Sequence, residues 1–221
     1  MRSIAVFFNV YISNKIGTES VGIFSLIMSV YMFAITIATS GINLATTKIV
    51  AEKLAIHNNK VPKHAIKKCI YYSFFLGMIA FLLVILFAPF LAKCLLHNKI
   101  PHYLFYVLGV SLPFISMSSA LNGYFTALRL ASKNAFARLI EQFIKIIVSA
   151  YCLSILFPAG IEYACLSLIL GETISEIVSC IIKFLLYILD INKRQICVKD
   201  ASNLEYNKRI LCICFPIAVT S

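Results

Sequence analysis

Three stretches of this 221-residue chain, 21–47, 69–92 and 103–128, contain no Asp, Glu, Lys or Arg. At about 1.5 Å rise per helical residue, each is long enough to cross a hydrocarbon core of about 30 Å unaided. Lipid offers no water to satisfy backbone amides, so a crossing segment must close its own hydrogen bonds, and a helix does this. The fold class expected is all-α, a polytopic transmembrane helix bundle. Only 13% of residues are charged and 61% are hydrophobic, whereas a soluble domain uses about 25% charged residues to cover its surface. With 8 Gly, 6 Pro and 8 Cys spread through the chain, a collagen-like fibre, a disordered tail and a disulfide miniprotein are excluded.

Two further apolar segments carry internal charges and are also expected to span. The segment 135–157 contains Arg138, Glu141 and Lys145, and 161–189 contains Glu162, Glu172, Glu176 and Lys183. The full spans expected are thus 21–46, 69–92, 103–128, 135–157 and 161–189. The ends, 3–14 and 210–221, are uncharged and apolar, and each is half a span. Arg2 followed by Ile4 to Ile12 has the outline of a signal peptide, but Asn9 interrupts it and no A-x-A site follows. Partial first and seventh helices are expected instead. The stop within Cys212-Ile213-Cys214-Phe215-Pro216-Ile217, without a polar flank, leads to the expectation of a fragment of a longer protein.

Twenty Lys and Arg against nine Asp and Glu give a formal charge of +11. The cations fall in bursts between uncharged runs, which is the pattern of residues beside cytoplasmic headgroups and not of a nucleic-acid surface. One set of alternate loops, within 48–68, 129–138 and 193–209, holds fourteen Lys and Arg, while the other holds Lys15, Lys93 and Lys99. The expected topology has a cytoplasmic N-terminus in the cell membrane, with Arg138 counted among the inner-loop cations.

Charges within a span are costly, about 2.5 to 3.5 kcal/mol each at the helix centre, and usually face protein or a wet cavity. Glu141 and Lys145 are four residues apart, as are Glu172 and Glu176, so each pair shares a helix face. The two spans meet at Pro158-Ala159-Gly160, expected to form a tight outer turn. Residues equidistant from such a turn lie at equal depth. Lys145 with Glu172, and Glu141 with Glu176, are both centred between Pro158 and Ala159, and the first level lies about 20 Å inward. Two readings are open: a buried ion-pair ladder locking two helices, or the wall of a polar cavity. Glu141, Glu172 and Glu176 against Lys145 leave an excess of acid, to be neutralised by protons, a bound cation or another basic residue. The three glutamates are therefore ion-coupling candidates.

Tyr71, Tyr72, Tyr103, Tyr106 and Tyr187 lie near span ends and are expected to form an interfacial aromatic belt. His57, His64, His97 and His102 form no metal-ligand pattern, and the cysteines include no C-x-x-C pair. Neither a metal nor another cofactor is expected. G-x-S-x-G, phosphate-loop and H-E-x-x-H motifs are absent, so no catalytic residue and no enzyme is expected.

The stretch 17–52, GTESVGIFSLIMSVYMFAITIATSGINLATTKIVAE, resembles the start of the oligosaccharide flippases related to stage V sporulation protein B, within the superfamily that also holds multidrug and toxin extrusion antiporters. Asn122-Gly123-Tyr124-Phe125 followed by Glu141-Gln142 and Lys145 resembles that family's G-Y-F and E-Q-x-x-R signature. Gly171-Glu172 with Ser175 is similar to its sixth-helix pattern, and Phe215-Pro216-Ile217 to its seventh-helix proline. The resemblance implies one amino-terminal lobe of a two-lobe transporter, with the carboxy-terminal lobe, membrane lipid and a lipid-linked saccharide as partners. Ser29 and Asn43 stand where relatives often carry prolines, so the second helix is expected to lack or weaken the family's kinks.

The mechanism implied is alternating access, in which a lipid-linked oligosaccharide or peptidoglycan precursor is flipped for envelope or spore-cortex synthesis. Lys145 is the substrate-binding candidate, a cation facing a diphosphate, although it lacks the bidentate fork of the arginine it replaces. Two rivals are a cation-coupled multidrug antiporter, which the acid excess would suit, and a nontransporting scaffold or degenerate copy. Nucleic acid is not an expected partner.

Overall fold

A computed structural model describes residues 17–56, 63–96, 103–156 and 161–193, together with Val10 and Ile12. The described residues fold into six helices: α1 (Thr18–Thr39), α2 (Ile42–Ile56), α3 (Lys63–Leu96), α4 (Tyr103–Ala127), α5 (Ala131–Leu156) and α6 (Ile161–Lys193). No strand occurs among them. The Pro158-Ala159-Gly160 turn, the half-span 210–221 and, apart from Val10 and Ile12, the half-span 3–14 lie outside the described residues.

Helices α3, α4, α5 and the α1–α2 run are long and apolar enough to cross a membrane. Helix α6 is 33 residues long but carries Glu172, Lys183 and Asp190, which are only 8%, 3% and 6% exposed. Its outward stripe, including Ile174, Ile181, Leu185 and Leu189, is exposed and apolar. Helix α5 shows the same division, with Phe136, Phe143, Ile147, Tyr151 and Ile155 outward at helical spacing. A bundle that is apolar outside and charged inside has lipid as its solvent.

Helix α4 is the central element and touches the other five. Fifteen of its residues are buried, from Leu104 to Phe125. Close approach is set by small residues, the usual device where no hydrophobic effect draws helices together. A Cβ on Gly77 of α3 would meet the Pro113 Cα of α4 at 2.7 Å, and one on Gly123 of α4 would meet the Asn43 carbonyl oxygen of α2 at 2.6 Å.

The span expected over 21–46 is interrupted. It breaks at Ser40-Gly41, where Gly41 adopts φ 69°, a left-handed conformation open to glycine at little cost. The break needs no proline; Ser29 sits within α1, its hydroxyl donating to the Ser25 carbonyl at 2.9 Å. The break takes the Ala38 carbonyl away from its helical partner. Ser116 of α4 stands between two carbonyls there, its one hydroxyl hydrogen shared between the Ala38 oxygen at 3.2 Å and the Ser73 oxygen of α3. Lipid-depth backbone groups require such replacement partners.

One aromatic expectation is corrected. Tyr71 is 71% exposed, but Tyr187 is only 7% exposed, its ring edge-on to Tyr124 at 5.1 Å. Tyr187 lies on the face of α6 that meets α4, so it belongs to the core and not to an interfacial belt.

Candidate functional site

Helices α5 and α6 run side by side, and their register brings Lys145 Nζ onto Glu172 Oε2 as an ion pair. The pair is partly shielded, with side-chain exposures of 24% and 10%. Gly171, beside Glu172, permits the contact by leaving room for Ser149 of α5.

One turn nearer the N-terminus of α5, the paired-register residues Glu141 and Glu176 are not bonded to each other, since two carboxylates would repel. Glu141 Oε2 instead accepts a hydrogen bond from Ser179 Oγ at 2.7 Å and lies 4.0 Å from Lys183 Nζ. Lys183 donates to Ser118 Oγ of α4 at 2.6 Å. The long lysine side chain reaches across depth, which a same-level pairing rule does not anticipate.

These groups border a cavity of about 500 Å³. Thr39 and Asn43, on either side of the α1–α2 break, form one wall with Ser118, Ser119 and Asn122 of α4. Arg138, Glu141 and Gln142 of α5, Glu176 and Lys183 of α6, and the apolar Ile115 of α4 complete it. Lys145 and Glu172 stand just outside this lining. Arg138, placed by the sequence both in the span 135–157 and among the loop cations, sits in α5 and lines the cavity. Together, Arg138, Lys145 and Lys183 match Glu141, Glu172 and Glu176 in formal charge. Of the three neutralising sources left open by the sequence, the described residues supply the last: Arg138 and Lys183 are the further basic residues beside the glutamates. The cavity offers hydroxyls, amides and both signs of charge, a set suited to replacing the hydration of a polar or charged ligand.

Near the α4–α5 turn and the C-terminal end of α6, a second cluster pins α4, α5 and α6 together. Asp190 accepts hydrogen bonds from Tyr124 Oη at 2.8 Å and Lys133 Nζ at 2.6 Å, and Lys133 lies over the Phe125 ring at 5.8 Å. The Asn122-Gly123-Tyr124-Phe125 segment thus places Asn122 in the cavity wall, Gly123 against α2, and Tyr124 and Phe125 in the buried core. Arg138 and Lys183 were noted from sequence as charges within spans but given no site role, and Lys133 and Asp190 were given none either. The signal available for Lys183 was its spacing of seven from Glu176, which keeps both on one face of α6.

A family model described as polysaccharide biosynthesis protein matches residues 2–215. Stage V sporulation protein B of Bacillus subtilis (strain 168) is 29% identical over 202 residues, which cover 91% of this chain and 37% of that protein. The chain thus spans well under half the length of that curated relative. No solved structure matches it. With a helical bundle that presents its apolar faces outward and with a match over nearly its whole length, the chain is a multi-pass membrane protein belonging to the polysaccharide biosynthesis protein family.

Proposed function

We propose that this chain is the amino-terminal lobe of a transporter that flips a lipid-linked saccharide across the cell membrane, its N-terminus cytoplasmic, in envelope or spore-cortex synthesis. The observation that carries this reading is the charge-balanced cavity of about 500 Å³ inside an apolar bundle. A sugar diphosphate cannot shed its hydration into hydrocarbon without replacement partners, whereas its lipid tail is at home among acyl chains. Thr39, Asn43, Ser119, Asn122 and Gln142 offer such partners to hydroxyls, and Arg138 and Lys183 to the anion. Lys145 serves in this reading by neutralising Glu172 beside the cavity, while Glu141 and Glu176 are its candidates for ion coupling. The broken α1–α2 run along one wall fits the discontinuous helices that frame transport sites. With the acids matched by bases, the cavity no longer favours a purely cationic drug as cargo.

The test is flipping of a head-group-labelled lipid-linked saccharide in vesicles holding this chain with a carboxy-terminal lobe. Arg138→Ala and Lys183→Met should each slow flipping at least about 10-fold, the loss of one charged hydrogen bond. The 221 residues alone, supplying half a cavity, should not flip it. Unchanged rates in both variants, or robust flipping by the chain alone, would refute the reading.

A further inference from the structure

The four charged side chains that line the cavity fall into two kinds. Lys183 is tied to Ser118 and faces Glu141, which Ser179 also holds. Arg138 and Glu176 have neither an ion pair nor a hydrogen bond with another described residue, although both lie within electrostatic reach of Lys183. They are opposite in sign and sit on adjoining helices. In the hairpin register their Cα atoms differ in depth by about one turn, or roughly 5 Å. An unpartnered charge beside hydrocarbon is costly, and a ligand that relieves only one of the two leaves the other exposed to that cost.

We propose that Arg138 and Glu176 form a two-pole reader, in which the guanidinium takes a phosphate and the carboxylate takes a positive group carried next to it. The proposal rests on the transporter reading and narrows its substrate class to head groups that present both signs. The forked donors of Arg138 suit a phosphate. The neutral walls, Thr39, Asn43, Ser119, Asn122 and Gln142, serve sugar hydroxyls but supply no counter-charge for Glu176. The positive group has two sources with the same chemistry: an ammonium on the first sugar, or a divalent cation held by the diphosphate.

The experiment is calorimetric titration of the full 221-residue chain in lipid nanodiscs. The probes are a short-chain prenyl diphosphate linked to glucosamine, in EDTA, and the same lipid linked to N-acetylglucosamine, in EDTA and with Mg²⁺. A sugar-borne charge makes the glucosamine probe bind about 10-fold more tightly than the acetylated one in EDTA; a metal-borne charge makes Mg²⁺ tighten the acetylated probe by a similar factor. Glu176→Gln should abolish whichever gain appears, while Arg138→Ala should weaken every probe. Far-ultraviolet dichroism and thermal midpoint verify that both variants fold, and Glu176→Asp should restore part of the gain. If neither amine nor Mg²⁺ changes affinity, or Glu176→Gln leaves the gain intact, the two-pole reader is wrong; continued weakening by Arg138→Ala would then leave the transporter reading standing. If the wild-type chain binds no probe at millimolar concentration, the transporter reading falls and takes the reader with it.

Discussion

Gly171 of α6 lies so close to Ser149 of α5 that a Cβ on it would sit 1.9 Å from Ser149 Oγ and 3.0 Å from Ser149 Cβ. The crossing fixes the separation of the two helices that carry the charge ladder. Gly171→Ala should therefore cost about 1–3 kcal/mol through overpacking, and Ser149→Ala in the same chain should recover part of it. Gly22→Ala is the control: its Cβ would meet nothing within 4 Å, and the helix should gain about 0.5–1 kcal/mol. The buried Cys69, Cys165 and Cys180 allow a thiol-reactive dye to report the unfolding midpoint.

The hairpin arithmetic that pairs Lys145 with Glu172 was legible in the sequence because both residues sit at one level and depth follows from counting. Glu141 escaped the same rule because its contacts, Ser179 and Lys183, lie at other levels that flexible side chains can bridge. Arg138 was hidden by its nearness to the basic loop, and Tyr187 by a hydropathy profile that reports depth but not which face of α6 turns inward. The break at Ser40-Gly41 falls inside an uncharged run, so hydropathy passed over a serine-glycine turn signal that backbone geometry makes plain.

The Lys145–Glu172 pair should be worth far more as a pair than as two residues. Lys145→Met alone strands a shielded carboxylate and should destabilise the chain by about 3 kcal/mol. Lys145→Met combined with Glu172→Gln should cost less than the single change. A double-mutant cycle on thermal midpoints measures the coupling, and additive costs would show that the contact contributes nothing.

Asp190 accepts from both Tyr124 and Lys133 near the C-terminal end of α6. Asp190→Ala leaves a buried phenol and a lysine without this acceptor and should cost about 2–3 kcal/mol, whereas Tyr124→Phe removes one hydrogen bond and should cost about 1 kcal/mol. The order of the two losses, read by thermal unfolding, checks the cluster.

The proposed topology puts the cation-rich loops on the cytoplasmic side. In a variant with its eight native cysteines replaced, Arg129→Cys in the α4–α5 turn should resist a membrane-impermeant maleimide added to intact cells and react once the membrane is opened. Ala159→Cys should react from outside. The reverse pattern would invert the topology.

The most direct measurement compares the aqueous reactivity of two cysteines in the same cysteine-free background, Ser119→Cys in the cavity wall and Ile147→Cys on the exposed apolar face of α5. A small charged thiosulfonate should modify Ser119→Cys in membranes at a rate near that of a loop cysteine and leave Ile147→Cys untouched. If Ser119→Cys is as inert as Ile147→Cys, the charged cavity is not open to water and the account of a hydrophilic passage within this bundle is contradicted.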